Sequence, residues 1–230
     1  MPLELTDLLA GRAFGGGPTS AAPSAPPSDR LPTAVLTMEI QRGVVGDLAT
    51  FPELAAAATE RGMVAQAARL LSAARRAGLP VVHCTAEFRA DRAGTVVNTP
   101  LHTVVLRRPE HLLEGTPATE LVPGLGAAVT DYVTTRRHGV APFTGTPLHA
   151  ALERLGVRVL VVAGVSTNLG VLGLCVEAVN LGYQVVVASD AVVGVPLDYA
   201  DQVLAHSVAL VAALATVDDV VAALEILTRR

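Results

Sequence analysis

VLVVAGVSTNLGVLGLCVEAVNLGYQVVVASD, residues 159–190, decides how this chain folds. The run VLVVA at 159–163 is apolar on both alternating faces, the mark of a strand buried on both sides. Residues 164–168 then read as a tight turn, a helix opens near Gly170, and Gly182 stops it. A second apolar strand follows at 184–188. Two buried strands joined through a helix form a βαβ unit. Its helix N-terminus sits at the carboxyl edge of a parallel sheet, where open α/β folds hold their ligands.

The same alternation extends outward. Residues 34–39 form an apolar strand, and 52–77 an alanine-rich helix with a weak point at Gly62. Residues 79–85 form a second strand, with Pro80 near its start, and 131–135 a third. Residues 146–155 are helical, 199–213 and 217–228 read as closing helices, and 214–216 as a sixth strand. The predicted fold class is therefore α/β: one domain with a doubly wound parallel sheet of about six strands, flanked by helices. Residues 88–123 form a long irregular segment with short strand pieces around 103–106. A connector of that length in such a domain is usually a lid, a binding loop or an interface piece.

Residues 3–9 suit a short helix, but 11–32 are rich in Gly, Pro, Ala and Ser and cannot bury a core. We therefore divide the chain into an arm, residues 1–31, and a folded domain, residues 32–230. The arm is expected to be flexible or to pack on a neighbouring subunit.

With 51% hydrophobic residues and no Trp, the core must be aliphatic. A net charge of −4 and no basic cluster argue against nucleic acid. Apolar runs are too short to span a membrane, and the first residues lack a secretory leader pattern, so a cytoplasmic setting is expected. Cys84 and Cys175 are too few and too far apart for a metal clip. No histidine pair has metal-ligand spacing and no phosphate loop is present, so neither metal nor cofactor is expected. The 17 basic residues are all arginines, which excludes lysine chemistry.

The phrase GVSTNLGVLGLCVEAVNLGY closely resembles the signature turn of the isochorismatase-like (cysteine hydrolase) superfamily. In most of that family a nucleophilic cysteine follows this turn; here the matching position is Gly170. True isochorismatases, which cleave a vinyl ether, also carry glycine there and keep an aspartate as general acid. The resemblance covers roughly residues 32–220 and implies a site at three strand ends. Glu39, in MEIQRG, matches the family aspartate, with Gln41 two residues on. Arg137, six residues before Phe143, matches the family lysine. Arg136 competes for that place, because alternation points only one of the two inward. The third strand end is the turn Val165, Ser166, Thr167, Asn168, Leu169 and Gly170, whose backbone amides would cradle an anion. The family often has a non-proline cis peptide in this turn, which singles out Val165–Ser166. Glu87 stands near a family glutamine, and His138 is the histidine to watch beside Arg137. Cys175 lies five residues past Gly170, roughly 140° around the helix, and cannot replace a nucleophile there.

Two readings follow. The first is a small-molecule hydrolase, acting on a vinyl-ether C–O or amide-type C–N bond. Glu39 would be its acid, Arg137 an electrostatic clamp, and Gly170 would mark the place of an absent thiol. The second is a non-catalytic relative that kept the fold as a binding or scaffold protein. A nucleotide-binding domain is a remote third. The resemblance also implies a homo-oligomer, dimer or tetramer.

Overall fold

Central strands buried on both faces build the molecule in three layers. In the computed structural model, which describes residues 4–11 and 32–229, six parallel strands form one sheet. They are β1 (Thr33–Met38), β2 (Val81–Ala86), β3 (Tyr132–Arg136), β4 (Val159–Val165), β5 (Gln184–Val193) and β6 (Ala213–Ala215), in the order β3-β2-β1-β4-β5-β6. Along β1, Val35 faces one side while Ala34, Leu36 and Met38 face the other. Period-two alternation within a fully buried strand thus feeds two cores at once.

In chain order the helices are α1 (Leu5–Leu9), α2 (Arg42–Val45), α3 (Pro52–Glu60), α4 (Met63–Arg76), α5 (Pro100–Val105), α6 (Leu148–Arg154), α7 (Leu172–Asn180), α8 (Leu197–His206) and α9 (Val217–Thr228). Helices α1, α3, α4 and α9 cover one face; α6, α7 and α8 cover the other. The expected break at Gly62 separates α3 from α4, and Gly62 adopts a left-handed φ of 61°. The first closing helix ends earlier than expected, at His206, and a short 3₁₀ turn, Val208–Leu210, completes the connection to β6.

Two expectations change. Residues 103–106 are not strand: they belong to α5 and the residue after it. Thr99 caps that helix by accepting a bond from the His102 amide at 3.1 Å, with Pro100 in the first turn. The arm also divides. Its helix α1 buries Leu8 and Leu9 in the domain's own core, and Thr33 Oγ1 donates to the Leu9 carbonyl at 2.6 Å. Most of the Gly/Pro/Ala-rich remainder lies outside the described residues.

Below the sheet's carboxyl edge runs a buried polar chain. Thr37 Oγ1 and His83 Nδ1 are 2.7 Å apart, and His83 Nε2 is 3.1 Å from Asp131, which Arg75 also binds. Thr37 is fully buried, so this hydroxyl–imidazole–carboxylate line is a structural tie between β1, β2 and the start of β3.

Candidate active site

The strand order reverses direction between β1 and β4, and a crevice opens beyond their carboxyl ends, as at other topological switch points. Glu39 leaves the tip of β1 and the turn 166–170 leaves the tip of β4, so both meet at this crevice. Gly164 allows their close approach. It pairs with Met38 in the ladder at φ 117°, and an added Cβ would lie 2.1 Å from the Met38 carbonyl oxygen. The Val165–Ser166 peptide is cis, as the resemblance suggested, and Val195–Pro196 is cis beside it.

A cavity of roughly 300 Å³ occupies the crevice. Glu39, Arg136, Ser166, Asn168, Leu169 and Gly170 line its floor, and Phe88, Leu101, His102, Val105, His111 and Leu112 from the long segment form its roof. The segment between β2 and β3 thus covers one side of the cavity in the manner of a lid, one of the three roles its length suggested, in a conformation that was not legible in the sequence.

The arginine that enters is Arg136. Along β3, Thr134 and Arg136 are buried while Tyr132 and Val133 are exposed. Arg136 Nη2 donates to Glu39 Oε1, with little of either side chain exposed. Arg137, the residue favoured by motif count, falls just past the strand and turns outward. It pairs with Glu114 at 2.6 Å and Glu87 at 3.1 Å, its side chain 40% exposed. Glu87 is thereby held outside the cavity as well.

Three other nominated residues are structural. Gln41 Nε2 donates to the carbonyls of Ala86 and Thr119, both at 2.9 Å, while its Oε1 accepts from the Ala86 amide at 2.8 Å. With its amide group so engaged, Gln41 fixes the lid to β2. Phe143 stacks on Tyr183 with ring centroids 5.8 Å apart, because Glu177 accepts its amide proton and draws the 143–144 turn onto α7. His138 accepts from the Val96 amide at 3.3 Å and stands behind His102, 6.0 Å between centroids. Val165 and Thr167 are buried in the strand end and turn. Within that turn the Leu169 and Val171 amides already donate to the Ser166 carbonyl, at 3.1 and 3.0 Å, which narrows any anion cradle to its remaining amides.

Glu39 sits at φ 51°, a left-handed conformation uncommon for a side-chain-bearing residue and enriched at functional sites. Burial pushes its carboxyl above the ordinary range, and the charge and hydrogen bond of Arg136 pull it only partly back. His111 is pushed down to about 4, chiefly by burial, and its Nδ1 lies 2.6 Å from Thr50 Oγ1. Neither cysteine offers a thiolate. Burial raises Cys84 strongly and Cys175 to about 12. Among the described residues, no cluster of three or more His, Cys, Asp or Glu is placed to hold a metal, and no helix is long and apolar enough to cross a membrane.

Sequence reasoning missed His102 and His111. Thr99–Pro100, a readable helix start, was the signal for His102; nothing local marked His111, which reaches the cavity only through the path of the lid.

Comparison with known proteins agrees with this architecture. The family model described as the isochorismatase domain matches residues 33–219. An uncharacterized isochorismatase family protein, YecD, of Escherichia coli O157:H7 is 28% identical over 195 residues, covering 84% of this chain and 96% of that protein. The structure of an isochorismatase family protein from Burkholderia thailandensis superposes with a TM-score of 0.70 at 32% identity, covering 84% of this chain and 96% of that one. A cysteine hydrolase structure from Pseudomonas syringae pv. phaseolicola 1448A shares the fold, with a TM-score of 0.72 at 20% identity, covering 89% and 99% of the two chains. The family model spans most of the chain and the fold agrees with these structures: the chain belongs to the isochorismatase-like hydrolase family.

Proposed function

We propose that this protein hydrolyses a small molecule by proton transfer rather than through a cysteine thiolate, at a vinyl-ether C–O or amide-type C–N bond. The observation that carries this reading is the Glu39–Arg136 pair at the floor of the switch-point cavity. A carboxyl group raised by burial can hold a proton for a departing atom, and a fixed guanidinium orients it. Arg136 cannot accept a proton itself, so its part is electrostatic. Gly170 presents backbone where the family resemblance would place a cysteine nucleophile, and the buried, raised thiols support the same conclusion. Walls from Phe51, Leu54, Phe88, Val105 and Val140 suit a substrate with an apolar body and one polar reacting group.

The test is Glu39→Gln, which keeps the side chain's shape and removes its proton chemistry. On a panel of neutral amides, carbamates and vinyl ethers, turnover should fall at least about a hundredfold with the melting temperature preserved. A wild-type protein without turnover on the whole panel refutes the hydrolase reading and leaves a non-catalytic binding relative. We also propose that the protein is a dimer or tetramer. This is supported by exposed Val129, Tyr132 and Val133 along the outer sheet edge at β3, and sedimentation velocity tests it.

A further inference from the structure

Hydrolysis needs a proton acceptor as well as a donor, and the cavity holds few groups able to be one. Arginine is excluded by its chemistry, and the chain has no lysine. His111 is tied to Thr50 and is too weak a base at about 4. His102 differs. It projects from the first turn of α5 into the cavity, only 3% exposed, wedged between the edge of Phe88 (6.4 Å between centroids) and His138. Its Nδ1 is buried and has no hydrogen-bond partner in the protein. A buried imidazole nitrogen left without a partner is uncommon and calls for a functional explanation.

We propose that His102 is the proton acceptor of this cavity, taking the proton of the attacking water while Glu39 supplies one to the departing atom. This rests on the hydrolase reading above and adds to it the residue that activates water. For an amide, the water oxygen bonds to the carbonyl carbon, its proton passes to His102, and the carbonyl π pair moves onto oxygen. Collapse of the tetrahedral centre breaks the C–N bond. The electron pair leaves on nitrogen, which takes the proton of Glu39, and a carboxylic acid and an amine depart. The imidazolium then returns its proton to Glu39 through solvent, which restores both groups.

The surroundings keep His102 in the form this requires. Burial, the Arg136 charge and His138 all lower its affinity for a proton, while the neighbouring Gly139 backbone opposes them. Glu39 and His111 share the cavity, and Arg92 lies over the Phe88 ring at 5.8 Å. The net effect is an imidazole that is neutral, and therefore basic, at pH 7.

The experiment measures kcat and KM against pH, using the para-nitroanilides of acetic, butyric and benzoic acid as probes, for wild type, His102→Gln and Glu39→Gln. The rate for wild type should rise with pH along an acid limb below pH 6.5, the ordinary histidine value, and fall along an alkaline limb. His102→Gln should lose the acid limb, with kcat down about 10²–10⁴-fold and KM nearly unchanged. Glu39→Gln should lose the alkaline limb instead. Histidine NMR on the wild-type protein supplies a second measurement that depends on no variant: the His102 titration midpoint must coincide with the acid limb. Turnover with an acid limb that survives His102→Gln, or that departs from the NMR midpoint, overturns the role of His102 and leaves the hydrolase reading standing. No turnover on any probe, nor on the wider panel above, removes both.

Discussion

Replacing Arg136 by glutamine should destabilise the fold in proportion to the charge left on Glu39. The two side chains are 9% and 15% exposed, so their pair is close to fully desolvated. Removing one member of such a pair costs about 3–5 kcal/mol, because the remaining charge is stranded. Glu39 has an escape that sets the lower end of that range, since it can take up a proton. Its carboxyl is already raised above 4.5 in the folded protein. A raised acid binds more protons folded than unfolded, so its contribution to stability declines as pH rises from the unfolded value through the folded one. Without Arg136 the folded value rises further and that decline continues to higher pH. The expected loss is therefore about 3 kcal/mol at pH 8, and well under half of that near pH 4.5, where Glu39 is protonated in both proteins. Urea unfolding at the two pH values measures it. Arg137→Gln is the control: its partners Glu87 and Glu114 are partly exposed, and its loss should stay below about 1 kcal/mol at both pH values. Equal losses for the two arginines, or a loss for Arg136→Gln that ignores pH, would refute the buried-pair reasoning.

Gly164→Ala should destabilise by about 4 kcal/mol or more, since the new methyl meets the Met38 carbonyl at 2.1 Å on a backbone with φ 117°; a wild-type thermal melt would contradict this. Gly170→Cys places a Cβ 2.8 Å from the Val165 carbonyl and 3.1 Å from Met38 Cε. It should cost about 1–3 kcal/mol, which urea unfolding measures. Asp131 is held below its usual value by Arg75, the Ala128 amide and His83, which together outweigh its burial. Its stabilisation is present above 3.8 and lost as pH falls through the lower folded value, so Asp131→Asn should lower neutral-pH stability and flatten the acid end of the stability–pH curve.

The fold was legible because its causes are local. Apolar runs bounded by Gly and Pro fix strands, alanine-rich periodicity fixes helices, and their strict alternation leaves a parallel sheet as the arrangement that buries both faces. The acid at the end of β1 and the turn after β4 were legible for the same reason, because a strand's length determines where its tip falls. Choosing between Arg136 and Arg137 required the β3 register, Ala86 opposite Arg136, since a one-residue slip reverses the face every side chain occupies. Gln41 and Phe143 looked available in sequence, yet each is occupied by partners 45 and 34 residues away. His102 and His111 became part of the site only when the lid closed over it. Short-range patterning sets what a residue can become, but which side chains share a cavity is settled by contacts between distant segments, and those exist only once the chain has packed.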